Sequence, residues 1–440
     1  MREATSTWQL ACLAGLARAM AAVAVPALAL ANGYDVPNVN ARDLAMAGAT
    51  TADQIDAGAA WVLPAALPRV EGLSLSISGS ILDNRTQWNA PTAAFSPGAT
   101  ASTRRNLVPP FEAFASYGFT VGEHRAGVGA GANIVGGGNM LWPEGWAGRT
   151  SVIEASVRDF AFYATGGVEV TPRLRLGGGL IYYRTTELLS QGLPLGLGTA
   201  QLATSGGAPS FDISAELEPL GGIPLTFAVD YKHQAVQKLT GRAHFDGVPP
   251  AFALVLQDQG VTHVVTRPNS LAAGASYRVL SGLSLDLGYR LSRYSVYKAD
   301  EFDGEKPSPG AIMVPRDYHD GQTFRLGGEY RALKRLALRA GLERDISGMP
   351  KQRAANGGLG SPTYSPTLPD SNSWAGALGA GYSFASGLAV NTAFFYASMD
   401  EVSSTGAAFP GRYGTRVWIA SLGVSYGWAP SRDAASARKL

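Results

Sequence analysis

Arginine is the side chain with the most chemistry to offer here, because its planar guanidinium can grip a carboxylate through two parallel hydrogen bonds. Arg184, Arg290 and Arg325 lie in segments where apolar and polar residues alternate. Alternation puts Asp230, Lys232, Arg278, Asp286, Glu329, Arg331, Arg339 and Glu343 on the same side as Arg290 and Arg325. Charges facing a shared interior find partners, so one reading is a mutually paired network that braces that interior. The other reading keeps one or two arginines for the carboxylate of a ligand. Arg184 is a candidate by its place near the end of its segment, although strict alternation puts it on the opposite face.

Catalytic patterns fail on inspection. His124, His233, His244, His263 and His319 share no ligand spacing with carboxylates, so no metal site is expected. Gly127-Val128-Gly129-Ala130-Gly131-Ala132 fits a loose dinucleotide pattern but sits inside an alternating segment with no helix after it. No Gly-x-Ser-x-Gly elbow occurs. Cys12 is the single cysteine; it lies in a segment expected to be removed, which excludes disulfides, Cys-zinc sites and thiol catalysis from the mature chain. We therefore expect no cofactor and no enzyme.

The elements that must position the arginines are strands. Charged residues make up only 16% of the 440-residue chain, Gly numbers 54 and the net charge is +2, with a mean hydropathy of +0.02. Soluble enzymes usually carry about a quarter charged residues. No basic block marks a nucleic-acid surface. No run of about 20 apolar residues, the length a membrane-crossing helix needs, occurs after the N-terminus. Low charge with neutral hydropathy fits strands that show lipid on one face and water on the other. Arg2 and the apolar stretch Met20 to Leu30 read as a signal peptide ending at Ala29-Leu30-Ala31, so residues 1–31 are expected to be cleaved.

From Leu73 the period is two, as in Leu283, Leu285, Leu287, Tyr289 and Leu291 against Ser284, Asp286, Gly288, Arg290 and Ser292. Fourteen segments qualify, near 73–83, 110–120, 124–135, 154–170, 173–186, 210–218, 224–237, 263–279, 283–298, 320–331, 335–346, 373–384, 388–400 and 415–428. Their connections alternate in length. Short turns fall near Gly122, Pro172, Gly221, Gly282, Lys334 and Gly387; long segments fall at 84–109, 136–153, 187–209, 238–262, 299–319, 347–372 and 401–414. Even strand number and sorted loop length describe an all-β membrane protein, a 14-stranded antiparallel transmembrane β-barrel over residues 71–428. Trp418 and Trp428 end the last strand where interfacial girdles belong, and 429–440 is a polar tail. Residues 32–70 do not alternate and are rich in small residues, which suits a plug in a lumen too wide for side chains alone to fill, the alternative being a disordered periplasmic arm.

At this point the chain resembles the FadL/TodX-type outer-membrane transporters of long-chain fatty acids and other hydrophobic compounds. Asn32-Gly33-Tyr34 and Ala41-Arg42-Asp43-Leu44-Ala45-Met46-Ala47-Gly48-Ala49 resemble that family's N-terminal hatch. Leu63-Pro64-Ala65 stands where the family has Asn-Pro-Ala. Trp146-Ala147-Gly148-Arg149, Phe324 to Arg331, Leu338 to Leu342 and Pro366-Thr367-Leu368-Pro369-Asp370 resemble further family segments in the same order.

The resemblance implies an outer-membrane channel in a Gram-negative bacterium. Outer loops would capture a hydrophobic ligand, a lumen pocket would receive it, and a gap at a kinked third strand would release it sideways into the bilayer lipid. Gly136-Gly137-Gly138 follow the third strand segment and could mark that gap, since glycine runs favour bulges, or could simply open a loop. Leu141, Trp142, Trp146, Leu188, Leu189, Phe252 and Leu254 are candidates for the capture groove, against the alternative that they pack the loops together as a lid. A monomer is expected. The competing readings are a general diffusion porin with a water-filled, unplugged lumen, and an outer-membrane lipase with Ser and His on neighbouring strands.

Overall fold

A computed structural model describes residues 40–91, 98–219, 222–307, 310–367, 369–405 and 409–428. The expected leader with Cys12, the start Asn32-Gly33-Tyr34, Gly221, Leu368 and the tail 429–440 lie outside the described residues.

The fold is a closed barrel of fourteen antiparallel strands, each bonded to its neighbours in sequence. The first six are β1 (Gly72–Asn89), β2 (Phe111–Val121), β3 (His124–Leu141), β4 (Glu154–Thr171), β5 (Leu174–Gly192) and β6 (Thr199–Leu217). Two strands are interrupted: β7 runs Leu225–Lys232 and Ala235–Asp246, and β8 runs Gln259–Arg267 and Ser270–Leu280. Next, β9 (Leu283–Ser292) and β10 (Gly321–Leu333) have outer extensions, Ala299–Gly304 and Ile312–Pro315. The rest are β11 (Leu336–Ile346), β12 (Ser373–Ser383), β13 (Leu388–Met399) and β14 (Gly411–Trp428). Closure comes from β1 against β14, in register from Leu73↔Trp428 to Asn89↔Arg412. A closed sheet leaves no open edge, which is the condition for crossing lipid with strands.

Alternation does what it predicts. Leu285, Leu287, Phe324, Leu326, Leu338, Leu342, Leu378 and Leu422 are exposed on the outer wall, while Asp286, Glu329, Arg339 and Ser421 are buried inside. Strand number and the side of the short turns agree with the sequence expectation, but the long loops are shorter than expected. Strands β1, β3, β5 and β6 run on to Asn89, Leu141, Gly192 and back to Thr199, so much of 84–109 and 187–209 is wall. Above Val236 the outward side chains of β7 turn polar, at Lys238, Thr240, Arg242 and His244. That half of the strand stands clear of the hydrocarbon.

Residues 40–70 lie in the lumen. Helix α1 (Ala41–Ala45) packs on β11 to β14; helix α2 (Ala59–Val62) and a 3-10 turn (Pro64–Arg69) pack on the opposite wall, β2 to β6. Both helices are too short to persist alone, so the barrel supplies their partners. The Asn40 side chain caps α1 by accepting from the Arg42 amide, Ser214 Oγ accepts from the Ala65 amide at 2.9 Å, and Thr165 Oγ1 donates to the Ala60 carbonyl at 3.0 Å. Wall glycines make room. A Cβ at Gly177 would stand 2.3 Å from the Ala65 nitrogen, and one at Gly341 would stand 2.2 Å from the Met46 carbonyl carbon.

Ion pairs complete the attachment. Arg42 meets Asp53 at 2.5 Å and Glu329 of β10 at 3.3 Å, while Glu329 also holds Arg339 at 2.8 Å. Lower down, Arg69 and Arg175 share Glu216, at 3.1 and 2.9 Å. These charges are paired with one another, which offsets the cost of their burial.

Candidate functional site

Above the N-terminal segment, a cavity of about 220 Å³ separates it from the walls. Its floor is Ala47, Gly48, Thr50, Thr51, Trp61 and Val62. One side is apolar, with Leu82, Ile134, Val135, Phe395, Met399 and Val417; the other carries Lys232, Arg267, Arg290 and Arg325 with Asp230, Glu343 and Asp345. The cavity thus offers both apolar and charged surface to whatever enters it.

Two of the three candidate arginines reach it. Arg325 Nε lies 2.8 Å from Glu343 and stands over Gly48, and Arg290 lines the same cavity. Arg184 does not. It is exposed on the outer wall beside Tyr182, with its guanidinium on Ser205 at 3.4 Å, because β5 keeps its alternation unbroken to that level.

Lys232 and Arg267 are the basic groups that the sequence reading did not single out for a ligand. Lys232 Nζ pairs with Asp230 at 2.5 Å and lies 4.7 Å from the centre of the Trp61 ring. Arg267 pairs with Asp159 of β4 at 2.5 Å and lies over the Tyr183 ring at 5.0 Å. Lys232 belongs to the inward set but is not an arginine; for Arg267 the cause is parity. In the lower part of β8 the even positions face inward, as Gly274 against Thr51 shows; above Pro268-Asn269 the odd ones do, with His263 and Val265 buried. The adjoining strand β7 switches in the same way across His233-Gln234, from Ala228 and Asp230 to Ala235 and Gln237. An odd offset across each break, from 232 to 235 and from 267 to 270, flips every later side chain, and the Pro-Asn dipeptide was the visible signal for it in β8.

A third defect sits in β3. Its register on β4 shifts between Ile134↔Phe160 and Gly136↔Asp159, so Val135 bulges without a partner there. Gly137 has φ of 136°, and a Cβ on it would meet the Val157 carbonyl at 2.3 Å. Gly136, Gly137 and Gly138 are therefore strand residues, not the start of a loop. The ladder between β2 and β3 ends at Glu112↔Asn133, and that between β2 and β1 at Phe111↔Gly79. Beyond those points the segment before β2 crosses the wall, touching β1 through Val108 and Leu82 and β3 through Arg104 and Leu141. All three defects border the cavity.

The loop candidates divide. Trp142, Trp146 and Leu189 are buried in a cluster with Trp88 and Tyr413, the two indoles stacked at 4.1 Å; they hold the loops together and form no open groove. Leu141 and Leu188 are half-buried at its margin. Phe252 packs on Leu193, Leu197 and Leu256, beside which Leu254 and Leu195 are 81% and 86% exposed. Leu195 and Leu254 thus form an exposed apolar knoll on the loops. Leu63, Pro64 and Ala65 are fully buried against the walls, proline opening the 3-10 turn.

A buried polar network ties the outer parts of β5, β8 and β9. His263 lies 3.0 Å from Glu187 and 3.7 Å from Asp300, stacked on Phe302 at 4.1 Å. Arg316 meets Asp300 at 2.9 Å. Burial opposes the imidazolium, but Glu187 and Asp300 outweigh it and the His263 pKa is pushed up to about 10.

The architecture has close counterparts among solved structures. A Pseudomonas aeruginosa FadL homologue superposes with a TM-score of 0.76 at 18% identity, covering 90% of this chain and 99% of that one. The toluene transporters TodX of Pseudomonas putida and TbuX of Ralstonia pickettii give 0.66 at 15% and 0.65 at 16%, covering 90% and 89% of this chain and all of theirs. No curated protein matches the sequence significantly. Residues 22–428 match the family described as Outer membrane protein transport protein (OMPP1/FadL/TodX), and the chain belongs to that family.

Proposed function

We propose that this outer-membrane chain takes up hydrophobic acids, long-chain fatty acids foremost. The loop knoll around Phe252 and Leu254 captures them, the lumen cavity receives them, and the wall at Gly136-Gly137-Gly138 releases them sideways into the bilayer. The observation that carries this reading is the cavity itself, which joins an apolar side, four cationic side chains, the N-terminal segment and the β3 bulge in one space. Arg290 and Arg325 are assigned to the ligand carboxylate, and residues 40–70 act as the hatch that keeps the lumen shut to water.

Two related channels are toluene transporters by name, which makes a neutral aromatic the rival cargo. The four cations Lys232, Arg267, Arg290 and Arg325 outnumber the three carboxylates Asp230, Glu343 and Asp345 in the lining, and that excess favours an acid, since a charge-assisted hydrogen bond is worth about 1.5–3 kcal/mol. Binding of oleate and of toluene to the purified barrel separates them. Arg290→Gln/Arg325→Gln should weaken oleate at least about tenfold and leave toluene unchanged. Tight toluene binding with no measurable oleate binding would replace the acid with a hydrocarbon.

A further inference from the structure

On the outer wall, Arg85 of β1 and Arg416 of β14 face each other as direct cross-strand partners, both exposed. Like charges directly opposite on a sheet repel and destabilise the pair. Arg105 joins them from the segment that crosses above β2. The nearby carboxylate is Asp83, itself buried, with one oxygen 3.3 Å from Arg85 and 3.9 Å from Arg105. Among the described residues no ion pair reaches Arg416. One carboxylate therefore stands beside two guanidinium groups, while the register holds a third, Arg416, opposite Arg85.

The level is informative. Along β14 the outward side chains run Arg416, Trp418, Ala420, Leu422, Val424, Tyr426 and Trp428, so Arg416 is the first outward position beyond the girdle residue Trp418. Two residues of strand make about 7 Å, which puts the guanidinium at the headgroups while Trp418 and Leu422 meet lipid. Arg184, the outward arginine of β5, holds the same place relative to Tyr182.

We infer that Arg85, Arg105 and Arg416 form a binding site for a phosphate-bearing lipid headgroup of the outer leaflet, its acyl chains lying down the apolar wall below. Guanidinium groups bind phosphate oxygens in pairs, and a shared phosphate converts the Arg85–Arg416 repulsion into a bridge. This site is on the lipid side of the wall and does not depend on what passes through the lumen.

Native mass spectrometry of the full barrel in mild detergent, titrated with diphosphoryl lipid A, with phosphatidylcholine as the zwitterionic control, tests the site. Lipid A adducts should fall at least about tenfold in Arg85→Gln/Arg416→Gln, return in Arg85→Lys/Arg416→Lys, and persist in Arg173→Gln at the opposite rim. Millimolar inorganic phosphate should leave them bound. Equal adducts in wild type and the Gln pair, equal retention of phosphatidylcholine, or full displacement by inorganic phosphate would each overturn the lipid site.

Discussion

Arg267 of β8 reaches across the lumen to the carbonyl oxygen of Val135 on β3, donating to it at 3.4 Å while its other arm holds Asp159 at 2.5 Å. Val135 is the bulged residue, so its carbonyl lacks the ladder partner it would have in a regular strand. The one guanidinium thus ties the side of the cavity where β7 and β8 are broken to the side where β3 is.

Removing that tie should loosen the bulge. Arg267→Ala is expected to raise amide exchange at Gly136 to Gly138 at least about tenfold, the loss of one charge-assisted bond. Arg267→Lys should rescue little, because an ammonium lacks the fork needed to span both partners. Unchanged exchange in the Ala variant would remove Arg267 from the control of this wall.

The hatch can be displaced from the wall side. Gly341→Val places a side chain where Met46 lies 2.2 Å away, whereas Gly79→Val meets nothing within 4 Å. The first should admit large hydrophilic antibiotics into expressing cells and the second should not, with both barrels folded by their heat-dependent gel shift. Equal exclusion by both would mean that residues 40–70 do not form the seal.

Arg42→Ala attacks the same attachment from within. It strips Asp53 of a partner at 2.5 Å and Glu329 of one at 3.3 Å. Breaking a buried pair costs about 3–5 kcal/mol, and the lower end applies because Glu329 keeps Arg339. Limited proteolysis should cut within 40–70 in the variant and not in the wild type.

The outer network should respond to alkali. His263 titrates near 6.5 when unfolded and near 10 when folded. Its stabilising contribution is therefore complete below about pH 6.5 and is lost as the pH rises through about 10. Exchange protection of β8 from Gln259 to Arg267 should fall across that window, and His263→Gln should flatten the dependence. A profile identical in the two proteins would remove His263 from the outer-loop lock.

Strand number, turn placement and the inward set Asp286, Arg290, Arg325, Glu329, Arg339 and Glu343 were legible because each depends on one local property, a period of two. Arg267 was not, since its facing depends on a parity change at Pro268-Asn269. Leu283 to Ser292 has no such break, and every residue there reads correctly. Trp142 and Trp146 were legible as apolar anchors but not as buried ones. Whether an indole in a loop is open or covered is decided by Trp88 and Tyr413, more than fifty and more than two hundred residues away in sequence.

Where α1 and the 3-10 turn find their partners also sets an order of events. Residues 40–70 precede every strand in sequence, yet α1 rests on β11 to β14, at the other end of the chain. Until β14 zips onto β1 the segment has only half of its surroundings, and contacts this distant in sequence form late. Helix α1 is thus expected to settle only once the barrel has closed, and a chain truncated before β14 would leave it without part of its docking wall.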